Sequence, residues 1–173
     1  MNSSGRQGAE YLLEGKHKDD FHLNGYSTLR CVLEESEVRA LEEVFDRFMD
    51  RKFDVPGRDF CDMSQPFGIP FEQWRLVNAM LPREYYPEWQ GNIFERVAAS
   101  VAAQLFPDEE MVLDYDQLLM KRPLKDQAVF SWHQDLAYWP QDTPDTKTVT
   151  VSLALNDANV ENGTYHLFAI FTF

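Results

Sequence analysis

Apolar residues recur at helical spacing in two stretches of the chain. In SEVRALEEVFDRFMD the positions Val38, Leu41, Phe45, Phe48 and Met49 fall on one face, and Ser36 stands where a cap belongs. In NIFERVAASVAAQLF (92–106) the stripe is Ile93, Val97, Val101 and Leu105. Asn92 followed by Glu95 has the form of a capping box, and Pro107 stops the helix. Between them, residues 51–90 carry Pro56, Gly57, Pro66, Gly68, Pro70, Pro82 and Pro87. That punctuation predicts loops and short helices, one of them over EQWRLVNAML (72–81). Upstream, residues 1–19 are polar and read as a flexible tail, and FHLNGYSTLRCVL (21–33) reads as a turn at Asn24-Gly25 followed by a strand.

After Pro107 the period shortens to two. VLDYDQLLMK (112–121) and VFSWHQD (129–135) alternate, and KTVTVSLALND (147–157) sets Val149, Val151, Leu153 and Leu155 against Thr148, Thr150, Ser152 and Ala154. TYHLFAIFTF (164–173) is also strand-like. Helices first and strands afterwards predict an α+β domain with a sheet- or barrel-like second half. No internal repeat interrupts it, and 173 residues suit one domain.

Composition narrows the function classes. A hydrophobic fraction of 44% supports a core of good size. A net charge of −13 argues against nucleic acid, which needs a basic face. The two cysteines, Cys31 and Cys61, have no metal-like spacing and form no disulfide framework. The N-terminus lacks an apolar signal-type run, and no stretch approaches the roughly 20 apolar residues of a membrane span. A cytoplasmic, reducing setting is therefore expected.

The chemistry concentrates in SWHQDLAYWP (131–140). On a strand, residues i and i+2 point to the same side, so His133 and Asp135 would project together. That suits the first two ligands of a 2-His-1-carboxylate iron site. The tripeptide alone is a weak signal, and by itself it favours the plainer reading of a hydrogen-bonded strand histidine and a turn aspartate.

The longer stretch is more specific. WHQDLAYWP, followed by VTVSLALNDANVENG, resembles the phytanoyl-CoA dioxygenase family of iron(II)/2-oxoglutarate oxygenases. DYDQLLMKRP (114–123) and NGYSTLRCVLEESEVRALEEVFD resemble that family's upstream strand and its N-terminal segment, so the similarity covers about residues 20–163. It implies a family domain over 20–173 with a double-stranded β-helix (jelly-roll) core flanked by helices. It also implies hydroxylation of a small or lipid-like substrate, with 2-oxoglutarate and O2 converted to succinate and CO2. By position, His133 and Asp135 would bind Fe(II). Gln117 matches a position that contacts 2-oxoglutarate, where an amide can donate to a carboxylate. Ser152 falls where many relatives carry a tryptophan lining the cosubstrate pocket, a departure from the pattern. Trp132, Tyr138 and Trp139 would wall the site or pack in the core, and Lys121 would steer an anionic cosubstrate or lie at a surface turn.

The family's pattern then continues through a Pro-Gly-Ser-His turn to a distal histidine and an arginine for 2-oxoglutarate. Here ENGTYHLFAIFTF ends the sequence, with no arginine after Arg122 and no histidine after His166. His166 comes too early for the usual third ligand, so the jelly roll is expected to be incomplete at its C-terminal strands. Two readings follow: an oxygenase, or a truncated non-catalytic pseudoenzyme that acts through a protein partner. A cupin-like binding protein fits less well, because no histidine cluster lies in a glycine-rich motif.

Overall fold

A computed structural model describes residues 5–123, 129–143, 147–165 and 167. The chain divides into two compact units. The first combines Met1–Val44, Glu88–Asp114 and Leu153–Phe173; the second combines Phe45–Pro87 and Tyr115–Ser152.

In the first unit, strands β1 (Arg6–Gln7) and β2 (Glu10–Tyr11) form a hairpin around Gly8, whose φ of +60° suits glycine. Helix α1 (Gly15–Asn24) follows, and Gly25 ends it in the left-handed conformation. The expected loose tail is thus, from Gly5 onward, a hairpin and the start of a helix. Asn24-Gly25 is the helix end, not a turn into a strand.

Helix α2 (Glu35–Met49) has the predicted apolar face, with Leu41, Phe48 and Met49 buried. Its start differs from the expectation: Ser36 lies inside the helix, and the Glu37 carboxylate accepts from the Glu34 amide. After α3 (Pro82–Tyr85), helix α4 (Ile93–Leu105) holds as read. Asn92 Oδ1 accepts from the Glu95 amide at 3.0 Å, and the Glu95 side chain reaches back to the Gly91 amide at 2.7 Å.

Two α4 side chains stand in for a neighbouring strand along the hairpin edge. Ser100 Oγ accepts from the Tyr11 amide at 2.9 Å. Gln104 accepts from the Leu13 amide at 2.9 Å and donates to the Tyr11 carbonyl at 2.7 Å. Their spacing of four residues puts both on one helix face. The Arg6–Glu37 ion pair, 2.8 Å and largely buried, fastens the hairpin to α2.

In the second unit, β3 (Phe60–Asp62), β4 (Leu76–Met80) and β5 (Gln117–Lys121) form an antiparallel sheet in that order. The helix predicted over 72–81 is therefore corrected to a short 3₁₀ turn at Phe71–Gln73 and a central strand. Leu76, Val77, Asn78 and Ala79 are fully buried. A strand covered on both faces shows a continuous apolar run, which periodicity does not separate from a buried helix.

One end of this sheet is tied together at Arg75. Its amide donates to Asp62 Oδ2 at 2.6 Å, and its carbonyl accepts from the Arg122 amide at 2.9 Å. Asp62 also accepts from the Ser64 amide and hydroxyl, both at 2.7 Å, and from Gln65 Nε2 at 2.6 Å. Burial pushes this carboxyl's pKa up, but the bonds from Ser64, Arg75 and Gln65 outweigh burial and bring it down to about 2.

The α+β class stands. The described residues contain one two-stranded and one three-stranded antiparallel sheet, and no ladder forms at 129–135 or 147–157. Alternation is a local signal, whereas a strand needs a hydrogen-bonded neighbour supplied from elsewhere in the chain. The alternation over 149–155 does appear as burial: Val149, Val151, Leu153 and Leu155 are half-buried, and Thr150, Ser152 and Ala154 are exposed.

Asp62 makes the second unit acid-sensitive. Its folded pKa lies below the ordinary 3.8, so its contribution is complete above about pH 4 and is lost as pH falls through about 2. The expected size is about 2 kcal/mol. Asp62→Asn should lose much of it at neutral pH, since an amide NH2 cannot accept from these donors. Urea unfolding of both proteins between pH 2 and 6 checks this: the difference should shrink towards pH 2.

Candidate metal centre

Beyond β5 the chain passes through Arg122 and Pro123. Residues 129–134 are irregular, and a 3₁₀ turn follows at Asp135–Tyr138. His133 and Asp135 were expected side by side on a strand. The observed route is different: Gln134 is extended, with φ −112° and ψ 137°, and Asp135 begins the turn. The turn is closed by Ala137 N–H to the Gln134 carbonyl at 2.9 Å and Trp139 N–H to the Leu136 carbonyl at 3.2 Å.

The two side chains nonetheless meet. His133 Nε2 lies 3.6 Å from Asp135 Oδ1. His133 Nδ1 is 2.7 Å from the Ser131 carbonyl. A carbonyl only accepts, so Nδ1 carries the hydrogen, and Nε2 is the nitrogen turned towards Asp135. Thr150 Oγ1 donates to Asp135 Oδ2 at 3.2 Å, leaving Oδ1 on the side of the histidine. The Phe130 ring packs edge-on at 6.2 Å from the imidazole.

This donor set fits a divalent iron. One imidazole nitrogen and one carboxylate oxygen 3.6 Å apart can both reach an ion at about 2.1 Å. Each donor also has the outer partner that orients metal ligands, a carbonyl for the histidine and a hydroxyl for the carboxylate. Among the described residues, no group of three or more His, Cys, Asp or Glu side chains could hold a metal. His166 lies outside the described residues, as does the side chain of Tyr138.

Gln117 opens β5, exposed, its Oε1 accepting from the Tyr115 hydroxyl at 3.3 Å. Burial and the nearby Asp116, Asp59 and Cys61 push the Tyr115 pKa up to about 12, so this hydroxyl stays a donor. Lys121 pairs with Leu76 at the other end of the strand and is half-buried. Ser152 is exposed, Trp132 is 63% exposed and Trp139 is half-buried.

The chain matches the family model for phytanoyl-CoA dioxygenase (PhyH) over residues 21–167. It belongs to the phytanoyl-CoA dioxygenase family. No curated protein matches the chain, and no solved structure matches it. The family consists in general of Fe(II)/2-oxoglutarate-dependent dioxygenases. In this phytanoyl-CoA dioxygenase-family chain, no described helix is long and apolar enough to cross a membrane.

Three residues that contact or share a sheet face with the predicted site residues were not singled out by the sequence. Thr150 was visible only as one polar position on an alternating segment, and Ser131 acts through its backbone. Asn78 was hidden in the apolar run of β4. It is 0% exposed, and among the described residues its side-chain nitrogen and oxygen have no hydrogen-bond partner. The register places it opposite Leu119, so it shares a sheet face with Gln117, two positions along β5.

An unpartnered buried amide costs about 1–3 kcal/mol. Replacing it with an apolar side chain of similar volume should therefore stabilise the protein. Asn78→Leu is expected to raise the urea midpoint, by about 1 kcal/mol of stability; a lower midpoint would show that Asn78 is satisfied in solution.

Proposed function

We propose that this family domain, over residues 20–173, carries the Fe(II) site of a 2-oxoglutarate-dependent dioxygenase acting on a small or lipid-like organic substrate. The observation that carries the reading is the His133–Asp135 pair. Each donor is already oriented, by Ser131 and by Thr150. With Nδ1 held on a carbonyl and Asp135 Oδ2 on a hydroxyl, Nε2 and Oδ1 face each other as the two atoms a shared metal would take.

Bound iron would supply the coupling of 2-oxoglutarate oxidation to succinate and CO2 with oxygen insertion into a substrate C–H bond. The chain's own residues have narrower tasks. His133 Nε2 and Asp135 Oδ1 hold the metal. Thr150 keeps Asp135 in place. Gln117 offers its amide N–H to a 2-oxoglutarate carboxylate, because the Tyr115 hydroxyl already occupies its oxygen. Ser152 supplies a further hydroxyl on the cosubstrate side, and Trp132 and Trp139 limit water at the metal.

Metal binding is the direct test, read by calorimetry and by the visible spectrum of the Co(II) form. His133→Ala and Asp135→Ala should each abolish specific binding, and with it any iron-dependent succinate formation. Wild-type affinity in either variant would overturn the assignment. Thr150→Val removes only the outer hydrogen bond and should weaken metal affinity about tenfold. Unchanged affinity there would mean that Thr150 plays no part in holding the ligand.

A further inference from the structure

Helix α2 ends in a Schellman arrangement. The Lys52 amide donates to the Arg47 carbonyl at 2.8 Å, and the Arg51 amide to the Phe48 carbonyl at 2.9 Å. Arg51 occupies the left-handed position with φ +59°, where glycine is the usual residue. A residue with a Cβ is strained there. Its side chain supplies a reason for its presence. The Arg51 guanidinium lies 5.2 Å from the centre of the Phe71 ring, and the Arg122 guanidinium lies 4.1 Å from the same ring. Arg122 also donates to the Phe71 carbonyl at 2.8 Å, which fixes the ring's backbone.

These groups border a cleft of about 560 Å³ lined by Arg51, Lys52, Phe53, Phe67, Phe71 and Trp74. Asp54 is its one acidic lining residue. The volume suits one small molecule, and aromatic rings and a few charges line it. Phe67 is 57% exposed, with Arg58 at 5.1 Å from its ring. The rim is open at Gly57 and Gly68, where an added Cβ would meet nothing within 4 Å. Among the described residues neither Arg51 nor Lys52 has a carboxylate partner. In a chain of net charge −13, two cations with no carboxylate partner among the described residues, beside the exposed Phe67 ring, mark a place where an anion is favoured over its surroundings.

We propose that this cleft binds a small organic anion with a flat aromatic body. Its carboxylate or equivalent group pairs with Arg51 and Lys52, and its ring lies against Phe67 and Trp74. Planar guanidinium stacks on rings and forks onto carboxylates, so the lining recognises both halves of such a ligand. Neither His133 nor Asp135 lines the cleft, and the proposal requires no metal.

The test is a fluorescence titration of the full chain with anilinonaphthalene sulfonate, an aromatic anion, followed by competition. Indole acetate should displace the dye, and its neutral counterpart indole acetamide should compete at least tenfold more weakly. Arg51→Gly should weaken dye binding at least tenfold while raising the melting temperature, because glycine relieves the left-handed backbone. Arg51→Asn, also tolerant of that conformation and uncharged, should lose binding in the same way. Undiminished binding in both variants would overturn the proposal, as would equal competition by the amide. Non-saturable dye uptake, or stronger displacement by the aliphatic acid laurate, would overturn the assigned ligand class.

Discussion

The second unit depends on how Asp62 ties its sheet together. This buried carboxylate accepts four hydrogen bonds, and one of them reaches the Arg75 amide just before β4. The Arg75 carbonyl in turn holds the first residue after β5. Three strands from segments far apart in sequence are thus pinned at one end by a carboxylate and a single peptide unit. The register from Leu76↔Lys121 to Met80↔Gln117 follows from that anchor. A slip of β5 by one residue would send Gln117 to the face away from Asn78. The position of the proposed cosubstrate donor is therefore fixed by an interaction outside the site.

The proposed metal pair follows the same logic on a smaller scale. His133 and Asp135 are more than one-quarter exposed, with side-chain exposures of 33% and 60%. An exposed pair of this kind contributes little to stability. Its orientation comes instead from two modest bonds, one to a backbone carbonyl and one to a hydroxyl. This is the expected division of labour for a ligand site, in which the first partners provide affinity and the next ones provide geometry.

What the sequence revealed was mostly local. Helices α2 and α4 declare themselves through apolar spacing, and Asn92 with Glu95 marks a start that the structure reproduces at that residue. The N-terminal hairpin was not legible, because its edge is completed by Ser100 and Gln104, some 90 residues away. Strand β4 was misread because full burial on both faces removes the alternation that identifies a strand. His133 and Asp135 stood out in the sequence as residue types and through family resemblance, but the route that joins them did not. Strand geometry predicted same-side projection, whereas an extended Gln134 leading into a 3₁₀ turn brings the two side chains together.

The central claim is that His133 and Asp135 together ligate iron. X-ray absorption at the iron edge of the Fe(II)-loaded chain, with 2-oxoglutarate present, tests it most directly. The expected result is scattering from one imidazole at least, lost in His133→Ala, and a light-atom shell that changes in Asp135→Ala. A shell of oxygen donors alone, identical in the wild type and both variants, would contradict it.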